Sequence, residues 1–127
     1  MDHARRPRNA GRLEGSDLHA SVVNPLCGDE LSVEVALEGE RIREVRFRVR
    51  GCAIATASAS MLSEQLSGLT LADVARMERS FQEAMEDAGA VLTEELEPLE
   101  PLLSVRDYPH RQSCARLPWD ALRALEK

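Results

Sequence analysis

Three cysteines, Cys27, Cys52 and Cys114, hold most of the reactive chemistry in this 127-residue chain. Cys27 sits in the stretch "NPLCGDE", and Asp29 follows two residues later, so a carboxylate accompanies the first thiol. Thiolates and one carboxylate oxygen form a donor set that zinc accepts in tetrahedral geometry, at roughly 2.0–2.3 Å. Gly28 permits the left-handed backbone that would turn both side chains toward one point. Pro25 stiffens the same loop. An odd number of widely spaced cysteines does not describe a disulfide framework. The spacing leaves two readings open: three small buried hydrophobes, or one shared site of Cys27, Asp29, Cys52 and Cys114. Arg111, three residues before Cys114, either offsets the negative charge of such a site or faces solvent.

The elements that must position these residues are legible in the hydrophobic pattern. "LSVEVAL" puts Leu31, Val33, Val35 and Leu37 on one face, "EGER" turns at Gly39, and "IREVRFRVR" alternates again with Val45, Phe47 and Val49 inward. Two period-2 runs around a short glycine turn read as a β-hairpin. An isolated hairpin is marginal, and "LHASVV" is the candidate third strand. "CAIATASASMLSEQLSG" reads as a helix with one very small face, ending at Gly68. "TLADVARMERSFQEAMEDAG" reads as a second helix, opened by a capping box of Thr70 and Asp73. Residues 89–101, with Gly89, Pro98 and Pro101, read as an acidic connector with one helical turn. The last segment reads as a loop at Pro109 and a helix starting near Arg116 or Leu117, with Pro118 in its first turn. The organisation is α+β. Each cysteine then falls at a junction: before the hairpin, at a helix start, and between the last loop and last helix. Helix N-termini favour thiolates, and these positions favour a shared site over buried packing.

Composition narrows the class. The net charge of −6 argues against nucleic acid as partner. Arg5, Arg6, Arg8 and Arg12 crowd the start without interleaved aromatics, so they read as a solvated tail or docking segment. No apolar run approaches the ~18 residues of a membrane span. The first residues lack the apolar stretch of a secretory signal, so a cytoplasmic location is expected.

The blocks "DHARRPRNAG", "NPLCGDE", "GCAIATASASML" and "RQSCARLPWDAL" together resemble the SufU branch of the IscU/NifU-type iron–sulfur cluster assembly proteins. The resemblance implies a small antiparallel three-stranded sheet covered on one side by helices, with residues 1–127 as a single domain. Residues 1–15 are then flexible or a shortened N-terminal helix. It implies zinc on Cys27, Asp29, Cys52 and Cys114, with Cys27 accepting sulfur from the persulfide of a pyridoxal-phosphate cysteine desulfurase. A histidine of that desulfurase would take over a zinc position and free Cys27. A downstream iron–sulfur scaffold would then receive the sulfur. The alternatives are a scaffold holding a transient [2Fe–2S] cluster on the same ligands, and a structural zinc module. Members of the IscU branch carry histidine directly before the third cysteine. Here that residue is Ser113, which favours SufU and sulfur transfer.

Overall fold

The computed structural model describes residues 10, 13, 15–25, 28–86, 94–105 and 108–126. Three antiparallel strands, β1 (Leu18–Val23), β2 (Glu30–Glu38) and β3 (Arg41–Arg50), lie in the order β1-β2-β3. Alternation sets the register: Leu31 faces Val49, Val33 faces Phe47 and Val35 faces Val45 across the β2–β3 pair. Leu31, Val33, Val35, Val45 and Phe47 are buried. The opposite face carries Glu30 against Arg50 and Glu34 against Arg46, opposite-charge pairs that each contribute roughly 0.2–1 kcal/mol. Gly39, at φ 64°, makes the β2–β3 turn. A register shift between Ala36 and Leu37 changes the expected facing there, so Ala36 is buried and Leu37 only half-buried.

Helices cover the apolar face. Helix α1 (Ala53–Ser63) packs on β3, and α3 (Pro109–Arg123) crosses β1 and β2 while packing against α1. The small face of α1, with Ala55, Ala57, Ser58 and Ala59 buried, allows that approach. Ser58 Oγ donates to the Ala115 carbonyl at 2.6 Å and ties the two helices together. Helix α2 (Leu71–Glu86) buries Val74, Met77, Phe81 and Met85, and Phe81 stacks on Trp119 with centroids 5.6 Å apart. Its capping box forms in both directions: Thr70 N–H donates to Asp73 Oδ2 at 3.0 Å, and Asp73 N–H donates to Thr70 Oγ1 at 3.1 Å.

Three expectations need correction. Helix α1 ends at Ser63, not at Gly68. The connector is a 3₁₀ helix from Glu94 to Val105, well beyond one turn. Apolar residues recur there at every third position, and Leu96, Leu99, Leu102 and Val105 are all buried. A period of three matches three residues per turn, so one edge of a 3₁₀ helix faces the core. The last helix begins at Pro109, not near Arg116. Proline fits the first helical position because its φ is preset and an N–H there would have no helical partner. Cys114 therefore lies inside α3 rather than at its start. Pro118 is interior as well, and it has no N–H to give the Cys114 carbonyl four residues earlier.

Candidate metal centre

The antiparallel register brings three chain segments to one end of the sheet. Glu30 pairs with both Val23 and Arg50, so Asn24, Asp29 and Gly51 leave the strands side by side. Asn24 N–H donates to the Asp29 carbonyl, and Gly28 N–H donates to the Asn24 carbonyl, each at 2.7 Å. Gly28 has φ 76°, and nothing lies within 4 Å of where its Cβ would be. Its role is conformational, as the sequence indicated.

Gly51 does something different. A Cβ there would lie 2.2 Å from Asp29 Oδ1 and 2.4 Å from its Cγ. The missing side chain is the space that the Asp29 carboxylate fills. Asp29 is buried, and its Oδ1 accepts the Cys52 backbone N–H at 3.1 Å. Cys52 caps α1, with its Sγ accepting the Ala55 N–H at 3.4 Å. Buried Cys114 reaches in from α3, and its thiol donates to Asp29 Oδ2 at 3.4 Å.

The ligand atoms of Asp29, Cys52 and Cys114 lie within 4.8 Å of one another. In a tetrahedral zinc site, sulfur and oxygen donors stand about 3.5–3.8 Å apart, given the bond lengths of such sites. The Cys114–Asp29 pair, at 3.4 Å, stands close to that separation, and the other ligand atoms lie within about 1 Å of it. Two soft sulfurs and a carboxylate fit zinc or iron. Cys27, the fourth expected ligand, lies outside the described residues, as does most of the expected N-terminal segment. Arg111 lies on the first turn of α3, exposed, with its guanidinium 5.4 Å from the Tyr108 ring centroid. That is cation–π distance.

The contacts of three residues at this site escape sequence reading: Asn24, Gly51 and Ser113, the last marked in the sequence only by the missing histidine. Asn24 is 3% exposed. Its Nδ2 donates to Ser113 Oγ at 2.9 Å and reaches Cys114 Sγ at 3.8 Å. These partners are 89 and 90 positions away, so local pattern holds no trace of them. A buried polar residue at a strand end is the only available signal.

Fold and site define a small α+β protein whose sheet end gathers thiols and a carboxylate. The chain belongs to the NifU-like N-terminal domain family, whose match spans residues 1–115. It is 34% identical to the zinc-dependent sulfurtransferase SufU of Bacillus subtilis, over 96% of this chain and 82% of that protein. It is 32% identical to the iron–sulfur cluster assembly scaffold protein IscU of Streptococcus pyogenes, over 96% and 76%. Its fold matches the crystal structure of a SUF-system scaffold protein from Fervidobacterium islandicum, with TM-score 0.87 at 31% identity, covering 97% of this chain and 90% of that one. The family expectation and the three-stranded fold are both borne out. The chain is thus a member of a family of iron–sulfur cluster assembly proteins. Among the described residues, no helix is long and apolar enough to cross a membrane.

Proposed function

We propose that this protein is a zinc-dependent sulfur-transfer protein of iron–sulfur cluster assembly, a single cytoplasmic domain that accepts persulfide sulfur on Cys27. The observation that carries this reading is the convergence of Asp29, Cys52 and Cys114 from three segments onto one point. Cys27, two residues before Asp29, is the fourth ligand. Zinc has no redox chemistry and keeps its thiolate ligands deprotonated and protected from oxidation. Asp29 is held between the two thiols, with Oδ1 accepting the Cys52 backbone N–H and Oδ2 placed 3.4 Å from Cys114 Sγ.

The sulfur donor is a pyridoxal-phosphate cysteine desulfurase carrying a persulfide. The Cys27 thiolate attacks the outer sulfur of that persulfide. A new S–S bond forms on Cys27, the partner's S–S bond breaks, and the partner's cysteine leaves as a thiolate. One thiol and one persulfide exchange places, with no net oxidation. A downstream scaffold then takes the sulfur. Arg111, one turn before Cys114, offsets negative charge around the site.

The second reading is a scaffold for a transient [2Fe–2S] cluster on the same ligands, favoured by the names of several relatives. Against it, Ser113 offers no imidazole and is engaged by Asn24. A closed structural zinc module is the third reading. Elemental analysis of protein purified without oxygen separates the first two: about one zinc per chain and no visible colour supports sulfur transfer, whereas iron with sulfide supports the scaffold. Mass spectrometry after incubation with desulfurase and cysteine should then show a persulfide on the wild type and none on Cys27→Ala. A persulfide in full yield on that variant would move the acceptor elsewhere. A variant that unfolds would favour the structural module.

A further inference from the structure

We infer that Asn24 is a positioning residue of the metal centre, and that its side-chain amide is a hydrogen-bond donor to the Cys114 sulfur. The inference rests on the reading of Asp29, Cys52 and Cys114 as metal ligands. Asn24 joins the site through two separate sets of bonds. Its backbone N–H and carbonyl bind Asp29 and Gly28, each at 2.7 Å, and hold the Asp29 loop shut. Its side chain crosses to α3, with Nδ2 2.9 Å from Ser113 Oγ and 3.8 Å from Cys114 Sγ. A primary amide has two N–H bonds to give, so one nitrogen can serve both acceptors.

The amide thus couples the aspartate segment to the helix that brings Cys114. Both Asn24 and Cys114 are buried, so water does not compete well for these bonds. An N–H aimed at a metal-bound thiolate withdraws electron density from sulfur and fixes the side chain's rotamer. Partners behind the ligands orient them, and their loss typically lowers metal affinity about 10–100-fold. Pro118 adds to the need for such a tether. It removes the helical N–H that would otherwise bind the Cys114 carbonyl, so α3 alone holds this residue less firmly.

Substitution of Asn24 leaves the backbone bonds of the loop in place, which makes the side chain testable. The probes are zinc, titrated against a chromophoric chelator, and cobalt(II), which reports thiolate coordination by its sulfur-to-metal charge-transfer band. Asn24→Ala should bind zinc about 10–100-fold more weakly than wild type. Its cobalt charge-transfer band should move to lower energy, because a sulfur without the N–H gives up an electron more easily. Ser113→Ala removes the neighbouring acceptor but leaves the amide beside Cys114, so its band should stay at the wild-type position. Asn24→Ala with wild-type affinity and an unmoved band would overturn the inference. So would a Ser113→Ala band shifted as far as that of Asn24→Ala, which would assign the effect to the tether alone. Wild-type protein that takes up neither metal would remove the metal reading itself, and this inference with it.

Discussion

Gly28 and Gly51 each adjoin a proposed metal ligand, yet they serve different physical needs. Gly28 supplies a positive φ in open space, whereas Gly51 supplies room for a carboxylate. Gly51→Ala would drive a methyl group into Asp29 Oδ1, so the carboxylate must rotate away from the two bonds that orient it. We expect zinc affinity to fall about 10–100-fold in a competition titration, with far-ultraviolet circular dichroism unchanged. Unaltered affinity would mean that Asp29 is not held where it matters. At this scale the sequence was informative about residue types and poor about contacts. Cys52 was recognisable from its junction position, and Asp29 and Gly28 from their places beside Cys27. Gly51, Asn24 and Ser113 depend on partners brought close only by the finished sheet and by α3.

Among the elements, α2 shows how a local signal survives folding intact. Its Thr70–Asp73 box was readable in four residues because both partners belong to one turn. Thr70→Ala removes the cap on the Asp73 N–H, and such a change costs about 1 kcal/mol, measurable as a lower urea midpoint. The Thr70 backbone N–H chiefly, then Arg76 and the Thr70 hydroxyl, hold the Asp73 carboxyl below its ordinary range. A carboxylate favoured by folding contributes above its unfolded pKa and loses that contribution as pH falls through the folded one. Thermal melts at falling pH should therefore show a steeper loss for wild type than for Asp73→Asn. Glu78 runs the other way: burial raises its carboxyl while Arg123 draws it back, so its contribution declines as pH rises through the carboxylate range. Two of the elements that differ from the sequence reading involve proline. Pro98 and Pro101 resembled loop punctuation, although Leu96, Leu99 and Leu102 around them already keep a period of three. Pro109 reads as a loop residue in the sequence, although it is the first residue of α3. Proline marks a helix start as well as a break, and packing against the rest of the fold decides which.

Across the whole molecule, both sheet edges receive partners. Ala10 bridges Phe47 on β3, and Glu126 exchanges backbone bonds with His19 on β1 at 2.8 and 3.0 Å. Covering an edge limits pairing with another chain. The core itself is continuous from the sheet through α1 and α3 to the 3₁₀ helix, and its apolar pattern was legible from alternation and helical spacing. The metal centre adds a different kind of connection. Asp29 is 23 positions from Cys52 and 85 from Cys114, so an ion held by all three would act as a reversible staple across most of the chain. The unfolded chain cannot present these donors together, and stability then follows mass action. Free zinc at a hundred times its dissociation constant should add about 2.7 kcal/mol, seen as a melting temperature that climbs with added zinc and drops with chelator. A melting temperature indifferent to zinc would sever folding from metal. On the proposed reading, the cell's zinc supply also governs how long each copy survives: when zinc is scarce, transiently opened chains are exposed to proteases more often, and the pool of sulfur carriers shrinks.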